Sequence, residues 1–486
     1  MYIGTQVSLP SFHRHGVAPI LDRLQTVCGV NDVRIHADDG VMATRDLYAA
    51  DSESPATNRT GVPIHPPNYP PHAVQPRPYL AKLSAERRLS LLHEIREETA
   101  KRGIRLTVRV IIGADRRREA FSHALAIDHR GQTASTPCRN HPAWQAYLRG
   151  LAEDVFRTCP VPIDGWLHMD EWEGPLSQTF FQHGNEASTI CFCPHCLDRA
   201  AREGIDSRRA REGFKKLSDQ IRETRETGKR WRDGGLTGLF ALFLDYPELL
   251  AWQKMQQLIK EENPAMVSGI MKQCRPDAWL GCHIIHTNSF NFIARASSDY
   301  ARYAEFADYV NPLVYHSVSG LRFAHRVEKM QNAVFPEIPL ESMHRAWLML
   351  HGLTPELQPG WDGLYDAQLN APEYVKEETA RVVESVAGRC KVYTNVGWEN
   401  EALPAPKPRE SQTYRAVMAA AEAGADGIFL SRQFASGLFV EGVGAAPAID
   451  PRQESQGGTK IAHEGDVGPI GLEEYGRALR DLGWIT

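Results

Sequence analysis

Three cysteines fall within six residues, Cys191-Phe-Cys193-Pro-His-Cys196, and three carboxylates fall within four, Asp170-Glu171-Trp-Glu173. Thiolates at this spacing suit zinc, which takes about four ligands in a tetrahedron. Cys138, in Thr136-Pro-Cys-Arg-Asn-His-Pro142, is the best fourth ligand, because it stands just before a helix and just after a loop on the same face of the fold. His195, inside the cluster, is the rival. A closed site without an open position is structural rather than catalytic. The carboxylates end a short apolar run, Trp166-Leu-His-Met. Three acids this close repel one another, so at least one is expected to have a raised pKa, as a general acid at neutral pH requires.

The elements that would position these groups alternate between strand and helix. Strands are expected at Tyr2–Leu9, Asp32–Asp38, Arg105–Ile112, Asp164–Asp170, Asp277–Thr287, Tyr309–His316, Lys391–Val396 and Ala425–Ser431. Helices are expected around Asp22–Val27 and at Leu80–Arg102, His141–Thr158, Ala371–Ala387 and Ser411–Ala423. Gly103 and Gly424 stop two of these helices just before a strand. Eight such units in 486 residues predict a single (β/α)8 TIM barrel. Ile338–Met343 competes with Lys391–Val396 for the seventh strand, but the helix Ala371–Ala387 leads directly into the latter. The long segments (about 39–79, 171–240, 317–370, 398–410 and 432–473) all follow strands. They therefore gather on the C-terminal face, where barrel active sites lie. Polar residues near those strand ends are candidate substrate contacts: Asp38, Arg109, Asp170, Trp172, His283, His286, Tyr315, His316, Trp398 and Arg432.

Composition narrows the function. A hydrophobic share of 42% and a charged share of 24% are ordinary for a globular protein. The net charge of −5 offers no basic field for nucleic acid. No apolar run approaches the roughly 20 residues of a membrane helix, and the first residues lead into a strand rather than a signal peptide. The nine cysteines lie mostly singly in apolar surroundings, which suits reduced thiols and a cytoplasmic protein. No phosphate-binding glycine loop appears, so nucleotide use is not indicated.

Asp170-Glu171 at the end of a fourth strand, then Cys-x-Cys-x-x-Cys, preceded by Cys138-x-Asn140-x-Pro142, resembles the family 42 glycoside hydrolases. Those are β-galactosidases built on a (β/α)8 barrel. The matching stretch covers about residues 137–197. The resemblance implies that Cys138, Cys191, Cys193 and Cys196 bind one structural zinc, and that Glu171 takes the place of the family's acid/base glutamate. Asp170 stands where that group carries Asn. It also implies a carbohydrate substrate and a homo-oligomer.

Glycosidic cleavage needs a second carboxylate from across the barrel. Glu399, in Asn395-Val-Gly-Trp-Glu399, is the first choice, with Trp398 as a platform for a sugar ring. Glu341 and Glu401 follow. Two alternatives use the same fold. One is a metal-dependent sugar isomerase, epimerase or lyase, with Glu171, His283, His316 and Glu399 around an exchangeable ion. The other is a non-catalytic sugar-binding barrel.

Overall fold

The computed structural model of the chain describes residues 1–7, 9–36, 85–112, 121–170, 172–181, 190–316, 319–364, 368–397, 412–430 and 470–486. The strands are, in order, β1 (Tyr2–Gln6), β2 (Asp32–His36), β3 (Arg105–Ile112), β4 (Leu125–Ile127), β5 (Thr133–Pro137), β6 (Gly165–Asp170), β7 (Trp279–Ile284), β8 (Tyr309–Val314), β9 (Lys391–Val396) and β10 (Gly427–Leu430). Eight of them close into a parallel barrel, in the order β1-β2-β3-β6-β7-β8-β9-β10, with β10 returning to β1. Tyr2 is opposite Gly427 at that closure. β4 and β5 form a separate antiparallel hairpin. The fold is the expected (β/α)8 barrel.

Alternation along each strand separates two environments. Val33, Ile35, Leu106, Val108, Val110, Val392 and Val396 are buried in the main core beneath the helices. The opposite faces fill the lumen, and there the side chains are aromatic and polar. Tyr2, Leu167, Met169, Tyr309 and Tyr393 pack together, with Trp279 against them. The rings of Tyr2 and Tyr393 stack at 3.8 Å. Gly281 has to lack a side chain, since a Cβ would lie 2.0 Å from the Tyr309 ring.

Arg34 is fully buried in this lumen. Its guanidinium lies 3.9 Å from the Phe429 ring centre and donates to the Tyr2 hydroxyl at 2.6 Å and to Asn311 Oδ1 at 3.3 Å. The Asp32 carboxylate is 3.6 Å away and also accepts from Thr107. A charge this deep is tolerable only when paired and hydrogen-bonded, as Arg34 is.

Three local expectations are corrected. The first strand stops at Gln6, and Leu9–His15 is a helix. The fifth is shorter than expected, running from Trp279 to Ile284 and followed by a turn of tight helix at His286–Phe290. The competing strand at Ile338–Met343 instead lies largely within the helix Leu340–Leu350, placing Glu341 on an exposed first turn. Two of the expected insertions are helical. Pro175–Phe181, Pro194–Arg202, Ser207–Thr227 and Gly235–Asp245 follow β6, before the helix Glu248–Cys274 leads into β7. Ser319–Val334 and Leu340–Leu350 follow β8. Most of the segments 39–79, 398–410 and 432–473 lie outside the described residues.

Candidate active site and metal centre

The β4–β5 hairpin shapes the metal centre, and sequence reasoning took this stretch for a plain loop. Asp128 Oδ1 accepts from the backbone N–H groups of Arg130 and Gln132, both at 2.8 Å, and so closes the turn. The chain leaves β5 directly into Cys138, whose N–H donates to Ala124 O at 2.8 Å. The second cysteine loop docks on the hairpin through Phe192 N–H and Ile127 O, at 2.6 Å. Cys193 caps the helix Pro194–Arg202, with proline in its favoured first position.

The four sulfurs of Cys138, Cys191, Cys193 and Cys196 all lie within 4.8 Å of one another and are buried. Cys138 and Cys196 are 3.5 Å apart, and Cys193 and Cys138 3.6 Å. A tetrahedron with metal–sulfur bonds of about 2.3 Å has edges of about 3.8 Å. The spacing therefore fits a metal ion. Gln256 donates to Cys196 Sγ at 3.3 Å, a polar contact from a neighbouring helix of the kind that orients ligands. His195 is outside the set. Its ring sits edge-on to His141, and its carbonyl accepts from Asn140 at 2.8 Å.

The residue after Cys138 ties this centre to the barrel. Arg139 grips both oxygens of Asp170, at the end of β6, with two bonds of 2.5 Å. The same guanidinium lies over the Trp172 ring at 4.7 Å. Trp172 N–H donates to Asp170 at 3.2 Å, and Lys260 Nζ donates to Trp172 O at 2.6 Å. Asp170 is only 3% exposed. Burial pushes its pKa up, but Arg139, with help from Lys260, outweighs burial and holds it below the ordinary aspartate value.

The expected repulsion among the acids is thus absent for two of them, for a physical reason. Asp170 is neutralised by Arg139. Glu173 is neutralised by Arg326 and accepts from Asn291 at 2.7 Å. Asp170 and Trp172, expected as substrate contacts, form the joint between strand and metal loop. Glu171 lies outside the described residues. Arg139→Met should leave a buried carboxylate uncompensated and cost about 3–5 kcal/mol of stability. Arg139→Lys should recover only part of it, because the two-pronged grip is lost. Urea denaturation measures both.

The lumen near the C-terminal strand ends carries a second polar set. Arg109 reaches Gln6 Oε1 and the Met169 sulfur. His283 lies on the same lining and is held well below the usual histidine pKa, first by burial and then by Arg109 and Arg34. Neither of its ring nitrogens has a hydrogen-bond partner among the described residues. Asn395 donates to Asn311 Oδ1 at 3.4 Å, while its own Oδ1 has no partner among the described residues. Buried donors and acceptors without partners are costly, and the ring nitrogens of His168 and His316 share this state among the described residues.

His286 and Tyr315 sit together, ring centres 5.4 Å apart, with Arg322 at 2.9 Å from His286 Nδ1. His316 is fully buried, and burial alone pushes its pKa down to about 3. The structure therefore joins Arg109 with His283, and His286 with Tyr315. Asp38, Trp398, Glu399, Glu401 and Arg432 lie outside the described residues. Among the described residues the four cysteines are the one group with metal-holding geometry, and His283 and His316 belong to none.

Sequence reasoning missed Arg34, Arg139 and Asn311. For Arg34 a signal existed. Asp32-Val-Arg-Ile-His alternates polar and apolar, and a barrel strand covered by helices can do so only if its inner face is polar.

The buried histidines predict acid sensitivity. His168 and His351 are held at about 4 and His316 at about 3, in each case chiefly by burial, and His283 is also depressed. The unfolded chain takes up these protons near pH 6.5 and the native state does not. Their contribution is therefore complete above pH 6.5 and is lost as the pH falls toward the native values. With four such groups, unfolding free energy should drop by up to about 5 kcal/mol per pH unit in that window. Asp170 adds a later loss, below pH 3.8, as its depressed pKa is approached. Chemical denaturation between pH 7 and pH 4.5 checks the slope.

No protein-family model matches the chain, and a search of curated proteins finds no match. Among solved structures the chain superposes on the β-galactosidase of the psychrophilic Marinomonas ef1, with TM-score 0.51, 10% identity and coverage of 99% of this chain and 60% of that one. It also superposes on the polyextremophilic β-galactosidase of the Antarctic haloarchaeon Halorubrum lacusprofundi, with TM-score 0.52, 12% identity and coverage of 100% and 58%. The fold shared with these proteins is the (β/α)8 barrel. The chain spans about three fifths of the length of these two proteins. Among the described residues no helix is long and apolar enough to cross a membrane.

Proposed function

We propose that the chain is a glycoside hydrolase of small glycosides or oligosaccharides, related to family 42. Glu171 would act as acid/base and Glu399 as the second carboxylate. The observation that carries this reading is the lumen: His283, near Arg109, and Asn395 present buried polar atoms without partners among the described residues, in a barrel fold shared with β-galactosidases. A hydroxyl-rich ring satisfies such atoms, whereas an apolar ligand does not. Leu167 and Met169 line the lumen from the strand that precedes Glu171 in sequence, and Tyr393 and Asn395 from the strand that precedes Glu399.

Zinc is the ion proposed for the four sulfurs, because a closed thiolate set suits it. It would hold the hairpin, the cysteine loop and Arg139 in register, and through Arg139 the end of β6. No part of the reaction passes through it. None of the nine cysteines is in a disulfide, which suits a cytoplasmic setting. The test is a panel of nitrophenyl glycosides, β-galactoside included. Turnover of at least one, undiminished by mild chelation, supports the reading. No turnover of any, together with a required exchangeable metal in a sugar isomerase or lyase assay, rejects it.

A further inference from the structure

The helix Gly235–Asp245 has an unusual surface. Its first ten residues, Gly-Leu-Thr-Gly-Leu-Phe-Ala-Leu-Phe-Leu, include no charge, in a chain with a charged share of 24%. One side is seated on the protein. Leu239 is buried, Trp231 just before the helix donates to Ala333 O at 2.9 Å, and a Cβ on Gly235 would lie 2.0 Å from Val334 O. The other side should be polar in a surface helix. Instead Leu236, Phe240 and Leu244, spaced four apart, are 58%, 59% and 80% exposed, and Leu250 on the next helix is 50% exposed.

We propose that this face is a two-fold interface between two copies of the chain, centred on Phe240. Three observations favour a second copy over another partner. The stripe is symmetric about its middle residue. In an antiparallel pair, Leu236 meets Leu244 of the other copy and Phe240 meets Phe240, as a self-complementary two-fold contact requires. Second, the ends carry opposite charges. Arg230 and Arg232 precede the helix, with Asp233 3.7 Å from Arg232, and Asp245 ends it, with Arg209 donating to its backbone carbonyl; neither Arg230 nor the Asp245 carboxylate has an ion-pair partner among the described residues. Antiparallel pairing sets the basic end of each copy beside the acidic end of the other. Third, the area is sufficient. Four such side chains expose on the order of 400–500 Å² of mostly apolar surface. That is close to the apolar share of a standard face of about 800 Å² per partner, and the charged ends supply the rim.

Sedimentation of the full-length protein tests this. Wild type should be a dimer in the micromolar range. Phe240→Glu should raise the dissociation constant at least about 100-fold, because two like charges then face each other at the axis. Phe240→Lys should do the same, and an equimolar mixture of the two variants should recover most of the affinity. Met349→Glu, at an exposed apolar position on the helix Leu340–Leu350, should change nothing. The proposal fails if wild type is monomeric throughout, if Phe240→Glu associates as wild type does, if the mixture does not recover, or if Met349→Glu is the variant that dissociates. None of these outcomes depends on the glycosidase reading.

Discussion

Glu171→Gln is expected to lower kcat on a nitrophenyl glycoside by about 10²–10⁴-fold while leaving fold and metal content unchanged. A glutamine has the shape of the glutamate but no proton to give to the leaving oxygen. The loss should therefore be larger for a disaccharide, whose leaving alcohol needs protonation more, than for a nitrophenolate. The neighbours make the variant easy to interpret. Asp170 and Glu173 are each committed to an arginine, so neither is free to replace the missing acid. Steady-state kinetics with the two substrate types checks both the size and the order of the effect. Wild-type activity in Glu171→Gln would remove that residue from the reaction.

Loss of the metal centre should be the largest structural effect. Thiolate–zinc sites contribute roughly 10–16 kcal/mol in small peptide folds, and part of that coupling should appear here as stability. Cys193→Ser removes the sulfur that lies 3.6 Å from Cys138 Sγ, at the residue just before the helix Pro194–Arg202. We expect the variant to lose its metal and more than about 5 kcal/mol of stability, or to fail to accumulate as soluble protein. Wild type should hold one zinc per chain by elemental analysis and resist mild chelation. A metal-free Cys193→Ser as stable as wild type would mean that the sulfurs are only packed thiols. The route from this centre to the barrel mouth is short. Cys138 is followed by Arg139, and Arg139 holds Asp170, the residue before Glu171.

The sequence was informative where local pattern and fold agree. The eight barrel strands were legible because each is a short run, apolar or alternating, between helical patterns, such as Lys391–Val396 after Ala371–Val386. The cysteine set was legible from spacing, and the choice of Cys138 over His195 agrees with the sulfur geometry. What escaped depends on distant partners. Three adjacent acids suggested repulsion, because nothing in the local sequence shows that Arg139 and Arg326 approach Asp170 and Glu173 from loops and helices elsewhere. Arg34 escaped because a lone arginine in a strand usually points to solvent, and only barrel closure brings Phe429 and Tyr2 around it. The helix Leu9–His15 escaped because Leu9 appeared to extend the strand begun at Tyr2. Glu341 appeared strand-borne for the opposite reason: Pro339 starts a helix there instead of breaking a strand.

The most direct measurement is a crystal structure of the protein with an unreactive glycoside or an iminosugar bound. The account predicts a ring in the lumen in contact with His283 and Asn395, with Glu171 and Glu399 on either side of the anomeric carbon. Their carboxyl groups should be about 5 Å apart for a retaining enzyme, or about 6.5–9.5 Å for an inverting one. A ring bound elsewhere, or a Glu171 turned out of the mouth with no carboxylate facing it across the barrel, would contradict it.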